Sequence, residues 1–195
     1  MLIDPTTNGI MRQAKGEFIF DMRDARTGEQ LVYWQKPQII TLDASLLVAI
    51  LLKDKASRTN SVNMLAVGTG ATGSLLSPDA PDNRYRKLNA ELARKAFSST
   101  QYRDGTGAAV AYPCNVIDFT TSFGEAEAVG PLNEMGLVSS LSSSASILNP
   151  NPNTFPTRDT TVDVSEYDIL VNLLTFSVVS KPSTAVLTIT WRITT

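Results

Sequence analysis

The chain is 195 residues long, with 43% hydrophobic and 18% charged residues and a formal net charge of −2. That length suits one medium domain with a sizeable core, and a charge so near zero excludes the basic field of a nucleic-acid binder. Histidine is absent, which removes the commonest general base and metal ligand.

The single cysteine, Cys114, has no intrachain partner for a disulfide and reads as a packing residue. No run approaches the ~20 apolar residues of a membrane-spanning helix. The first residues lack the apolar core of a signal peptide. The expectation is therefore a protein made and kept in a cytosol, or assembled there into something larger.

Residues 1–15 carry Pro5, Asn8 and Gly9 without periodicity. They read either as an extended arm ordered against a partner or as a frayed terminus. Residues 16–195 form one assembly domain. Glu17–Arg23 and Gln30–Lys36 are strand-like and flank Asp24-Ala25-Arg26-Thr27-Gly28, a hairpin signal. Pro37 closes that hairpin, and Gln38–Thr41 is a candidate extension of it. Asp43 stands where an N-cap would stand for a helix over 42–53. Leu46, Leu47, Ile50 and Leu51 recur at helical spacing, and Val48 and Leu52 widen the stripe, so this helix is either core or a subunit contact.

Met64–Val67 is a short apolar strand. A loop with three glycines and two prolines follows. Tyr85, Leu88, Leu92 and Ala96 then predict a second helix over 83–97, with Glu91 and Lys95 as an i, i+4 pair. Val116–Phe123 alternates, with Ile117, Phe119 and Phe123 on one side. Gly124–Leu137 reads as a compact loop. Ser139–Ser146 is low in complexity yet compatible with an edge strand, and Asn149–Pro156 is a loop. Tyr167–Val179 and Ala185–Thr194 read as a closing hairpin with Leu187, Ile189, Trp191 and Ile193 on its core face.

Gly68, Gly70 and Gly73 fit the spacing GxGxxG. A dinucleotide site needs a helix to begin directly after the loop, and here Pro78 and Pro81 intervene. A phosphate loop needs Gly-Lys-Ser/Thr, and Gly73 is followed by Ser74-Leu75. The glycines therefore read as a tight turn requiring positive φ. Glu125, Glu127 and Glu134 lie close in sequence, but no EF-hand pattern surrounds them. Serine and threonine abound without a histidine to activate them. No catalytic, cofactor-binding or metal-binding residue is assigned, and an enzyme is not expected.

Taken together, these segments resemble virion structural proteins of tailed bacteriophages. The resemblance rests on Val67-Gly68-Thr69-Gly70, on Leu88 with Glu91-Leu92-Ala93-Arg94, and on the aromatic strand Phe119–Phe123. It rests also on the turn Gly124-Glu125-Ala126, on Asn133-Glu134-Met135-Gly136-Leu137, and on the Leu-Thr-Ile-Thr-Trp closing strand. It covers most of the chain from Gly16 and departs over 73–83 and 139–156.

The resemblance implies a part of the tail, baseplate or fibre-attachment region, with a neck or head–tail connector position as the alternative. It also implies copies of the chain in a ring or trimer and other virion proteins as partners, with no nucleic acid or membrane. A host-surface glycan-binding module is the reading from another class, with Tyr102, Tyr112 and Phe155 as its candidate aromatics. The expected fold is α+β and β-dominated: an antiparallel β-sandwich with about two helices, over 42–53 and 83–97, and long loops. Arg94 and Glu134 are either an ion pair fastening the second helix to the Asn133–Leu137 turn or two independent surface charges.

Overall fold

The computed structural model describes residues 15–37, 39–53, 61–141, 146–147 and 168–194. The expected arm as far as residue 14, the 149–156 loop and residues 142–145 of the serine-rich run lie outside the described residues.

In chain order the elements are β1 (Lys15–Asp24), β2 (Gln30–Pro37), β3 (Ile39–Ile40), α1 (Leu42–Lys53), β4 (Met64–Gly68), β5 (Gly73–Ser74) and β6 (Ser77–Pro78). Then follow β7 (Glu91–Ala96), β8 (Ser99–Arg103), β9 (Ala109–Val110), β10 (Val116–Phe123) and β11 (Gly130–Ser139). The last are β12 (Ser146–Ile147), β13 (Ile169–Leu170), β14 (Asn172–Lys181) and β15 (Ala185–Thr194). The fold is α+β and β-dominated, as expected.

The strands make a six-stranded sheet of order β2-β1-β15-β10-β8-β9 and a seven-stranded sheet of order β12-β7-β4-β11-β14-β3, with β13 beside β11. All recorded pairs in the two large sheets are antiparallel. The sheets meet through one apolar cluster. Phe18, Phe20, Phe123, Leu187, Ile189 and Trp191 come from the first; Leu65, Val67, Leu132, Leu137 and Phe176 come from the second. Trp34 and Phe20 reach Phe176 across the interior, with ring centroids 5.1 and 5.8 Å apart. This is compatible with the expected sandwich.

The β1–β2 hairpin forms as its turn chemistry directs. The Asp24 carboxylate accepts from the Arg26 and Thr27 amides at 3.0 and 2.7 Å, and Gly28 takes a φ of 73°. Beyond Pro37 the chain does not extend that hairpin. It crosses to the other sheet, where β3 pairs with β14. α1 covers 42–53 as predicted, with Leu47 buried in the core and Leu51 packed against it. Asp43 lies within its first turn rather than capping it, and pairs with Arg86 at 3.1 Å. Burial pushes the Asp43 carboxyl up, against the opposing pull of Arg86.

Three predicted elements are corrected. The second helix does not form: 83–90 is irregular and Glu91–Ala96 is strand β7, paired with β4. Its stripe is satisfied otherwise. Leu88 joins a second cluster with Met64, Ala66, Val138, Leu170 and Leu173, against which Tyr85 packs, while Ala93 enters the main core. Cross-strand pairing on a buried sheet overrides helix propensity.

The compact loop expected over 124–137 ends at Val129, and Gly130–Ser139 is a ten-residue strand at the centre of the second sheet. Finally, β14 and β15 are not a hairpin. Their connection carries the chain from one sheet to the other, so each strand pairs with strangers.

β4 is buried along its whole length. Leu65 and Val67 face the main core, while Met64 and Ala66 face the second cluster. A strand covered on both faces reads as a continuous apolar run. This strand delivers Gly68 and the loop after it to the site described next.

Candidate functional site

Four of the signature residues that carry the resemblance, Gly68, Gly70, Asn133 and Glu134, converge on one place, the end of β4 where it meets β7 and β11. Glu134 lies opposite Gly68 in the β4–β11 ladder. Its side chain is fully buried, and main-chain amides fill its carboxylate. Oε1 accepts from Gly70 at 3.0 Å and from Ala90 at 2.8 Å, and Oε2 accepts from Asn89 at 3.0 Å. Neighbouring Asn133 accepts from the Ala71 amide at 3.0 Å. Asn89 donates its side-chain amide to the Gly70 carbonyl at 3.0 Å, and Thr69 donates to the Ala90 carbonyl at 2.9 Å. The glycine loop and the 89–90 turn are thus clasped together by two adjacent side chains of β11. Charge-assisted bonds of this kind are the strong ones.

The glycines are explained by close approach rather than by torsion. A Cβ on Gly68 would stand 2.5 Å from the Ala90 carbonyl oxygen and 2.6 Å from Glu134 Oε1. On Gly70 it would stand 2.4 Å from the Ala90 nitrogen. Of the three loop glycines, Gly73 alone takes positive φ, at 89°, so the expected positive-φ turn is corrected at Gly68 and Gly70. Gly136, two residues beyond Glu134, lies against β14, where a Cβ would come 2.4 Å from the Asn172 carbonyl oxygen. Asn172 in turn accepts from the Leu137 amide at 2.7 Å, and Leu137 itself points into the core.

Arg94 and Glu134 are both buried, so neither is a surface charge. They do not pair with each other. Arg94 pairs with Glu91 and, at 2.6 Å, with Asp168. Burial alone would pull the Arg94 guanidinium down, but the two carboxylates hold it above its ordinary value. Asp168 also accepts from the Leu141 amide at 2.8 Å, so the cluster ties β7 to the ends of the segment between β11 and β13. The void beside it is about 10 Å³, room for about one water. Leu88 closes the second cluster nearby, and Leu92 packs on the main core as the extra residue where the β4–β7 register shifts.

The Gly124–Ala126 turn is fastened by similar means. Glu127 accepts from the Gly124 amide at 2.8 Å and from Lys95 at 2.5 Å. Burial raises its carboxyl, but these two partners outweigh burial and hold it below its ordinary value. Lys181, almost wholly buried, donates to the Gly124, Glu125 and Ala185 carbonyls at 2.8, 3.3 and 2.8 Å. Burial pushes its ammonium down, partly offset by Glu127 and Glu125. Sequence reasoning missed Lys181 and Asp168. Lys181 closes a strand in an apolar context; Asp168 gives no local signal, because its partner Arg94 is distant in the chain.

No cluster of three or more potential metal ligands occurs among the described residues. Glu125, Glu127 and Glu134 do not converge: Glu134 is spent on the loop and Glu127 on Lys95. A groove of about 400 Å³ lies at the far ends of β1, β2 and β15, lined in part by Glu17, Lys36 and Arg192, and no signature residue lines it. Tyr112 is exposed and Tyr102 half-buried, while Phe155 lies outside the described residues. Cys114 is a half-buried free thiol. No family model matches the chain, and a search of curated proteins returns no match.

Proposed function

We propose that this chain is a structural subunit of a tailed-phage virion, in the tail, baseplate or fibre-attachment region, and that it acts by protein–protein assembly in the cytoplasm of its bacterial host. One observation supports the reading above the others. Four of the residues that carry the resemblance close on one another: Glu134 takes the Gly70 and Ala90 amides, Asn133 takes the Ala71 amide, and a Cβ on Gly68 or Gly70 would meet the Ala90 backbone. Their chemistry is that of a clasp. A motif of this kind fixes the shape of a building block. Partners in this reading are copies of the chain in a ring or trimer and other virion proteins. A neck or connector-associated position is the other place that the resemblance allows in the same particle.

The test is direct. Mass spectrometry of purified particles is expected to find the chain at a fixed copy number, and gold-labelled antibody is expected to decorate one position near the tail. A chain missing from purified particles, or found only in soluble host fractions, overturns the proposal.

A further inference from the structure

Strand β14 carries a hazard in its sequence. Between Asp168 and Lys181 there is no charged residue, glycine or proline, and Leu173-Leu174-Thr175-Phe176-Ser177-Val178-Val179 is rich in β-formers. A segment of this composition, left open along one side, pairs with copies of itself. One side of β14 is taken by β11. On the other side β3 pairs with Asn172 and Leu173 and goes no further among the described residues.

The β5–β6 hairpin takes over where β3 stops. The Thr175 hydroxyl donates to the Asp79 carbonyl at 2.8 Å, the Ser177 hydroxyl to the Leu76 carbonyl at 2.7 Å, and the Val178 amide to the Leu75 carbonyl at 2.8 Å. The hairpin offers no new edge in exchange. Its strands are two residues long, and the second ends on Pro78, which has no N–H to give. It is also lightly held. Residues 72–77 are all exposed, Leu75 and Leu76 by 63% and 78%, so little apolar burial fastens it to the sheet. Its root is fixed, because Glu134 and Asn133 take the Gly70 and Ala71 amides. A segment that is bonded but hardly packed opens locally, ahead of the core.

We propose that the β5–β6 hairpin is an edge guard: closed, it keeps β14 from pairing with β14 of a second copy, and it lifts off without unfolding the two sheets. The strand pairs with itself once bared, because identical uncharged segments stack with like residues together and no charge opposes them. The bonding fits a removable cover. A full main-chain ladder would make the hairpin a permanent strand of the sheet, whereas hydroxyls at Thr175 and Ser177 carry much of its attachment. The inference is independent of the virion reading, since it concerns the purified chain alone.

Amide hydrogen exchange and fibre-dye fluorescence of the full chain test it. In the wild type the Val178 amide is expected to exchange at least about tenfold faster than the Leu137 amide, which donates to Asn172 inside the sheet. Thr175→Val with Ser177→Ala removes both hydroxyl bonds. It is expected to speed Val178 exchange about tenfold further, to leave Leu137 unchanged, and to shorten the lag before fibres form. Thr175→Val with Ser177→Lys removes the same bonds but puts a charge into the run. It is expected to bare Val178 equally and to form fibres no faster than wild type. Ile189→Val weakens the core and leaves the hairpin bonds in place, so it is expected to keep the wild-type lag. Exchange of Val178 in step with Leu137, or unaltered by the double variant, overturns the inference. So does a lag unmoved by the alanine variant, or one shortened as much by the lysine variant or by Ile189→Val.

Discussion

The carboxylate of Glu134 accepts the Gly70 and Ala90 amides on one oxygen, at 3.0 and 2.8 Å, and so joins two loops that are not adjacent in sequence. Glu134→Gln keeps the shape but turns an amide NH2 toward a donor, either the Asn89 amide or the pair on the other oxygen. The expected loss is about 2 kcal/mol of folding stability, as for a charge-assisted bond broken in a buried site. Urea denaturation checks it as a fall in midpoint at unchanged slope.

The loop glycines form an internal series. Gly68→Ala and Gly70→Ala force a Cβ onto the backbone of Ala90, and each is expected to cost about 3 kcal/mol. Gly105→Ala meets nothing within 4 Å and keeps an ordinary torsion, so it is expected to stay within about 0.5 kcal/mol of wild type. Thermal unfolding of the three variants ranks them. Equal losses at Gly105 and Gly70 would discredit the close-approach explanation.

Arg94 lies between Glu91 and Asp168, all three buried. Arg94→Met leaves two carboxylates without their cation and is expected to cost about 4 kcal/mol. Adding Glu91→Gln and Asp168→Asn is expected to return part of that loss, since the charges left unpaired are then gone. Denaturation of the single and triple variants measures the difference.

Thr121 is fully buried, and its hydroxyl has no hydrogen-bond partner among the described residues. Thr121→Val keeps the shape and removes a desolvated polar group, so a gain of about 1 kcal/mol is expected. A rise in the unfolding midpoint checks it, and a fall would mean that the hydroxyl is satisfied in solution.

Asp118 gives the pH dependence. Burial raises its carboxyl, but Arg192 and Arg103, bonded at 2.7 to 2.9 Å, outweigh burial and hold it below the ordinary value of 3.8. A carboxyl depressed in the folded state stabilises the protein above its unfolded value. That contribution is therefore complete at neutral pH and is lost as pH falls below about 3.8. Asp118→Asn is expected to be less stable than wild type at neutral pH and to close the gap as acid is added. Denaturation midpoints measured across that pH range decide it.

Much of the architecture was legible. Val116–Phe123 and Ala185–Thr194 alternate with period two and are strands over those same bounds. The β1–β2 hairpin was carried by Asp24 and Gly28, and α1 by its dense leucines. The signature residues were legible as a set, but their bonding was not. Arg94 and Glu134, the charged residues of their motifs, read from the sequence either as an ion pair or as two independent surface charges, and neither reading holds. In the fold each has different partners, supplied by Glu91, Asp168 and the main-chain amides of a distant loop.

By itself, the sequence determined what depends on neighbours along the chain: strand alternation, the Asx turn at Asp24, the length of α1, and the absence of histidine chemistry. Only the tertiary structure decided which strands pair. Tyr85, Leu88, Leu92 and Ala96 fit a helix period. The place beside β4 was nonetheless open to a strand, and pairing there satisfies a buried backbone that a helix would leave unmatched. The β14–β15 connection looks local for the same reason, yet it passes between sheets, because β15 finds its ladder with β1 and β10. Glycines at 68 and 70 could mean torsion or proximity, and proximity is a property of two segments, so only their meeting at Glu134 distinguished the two.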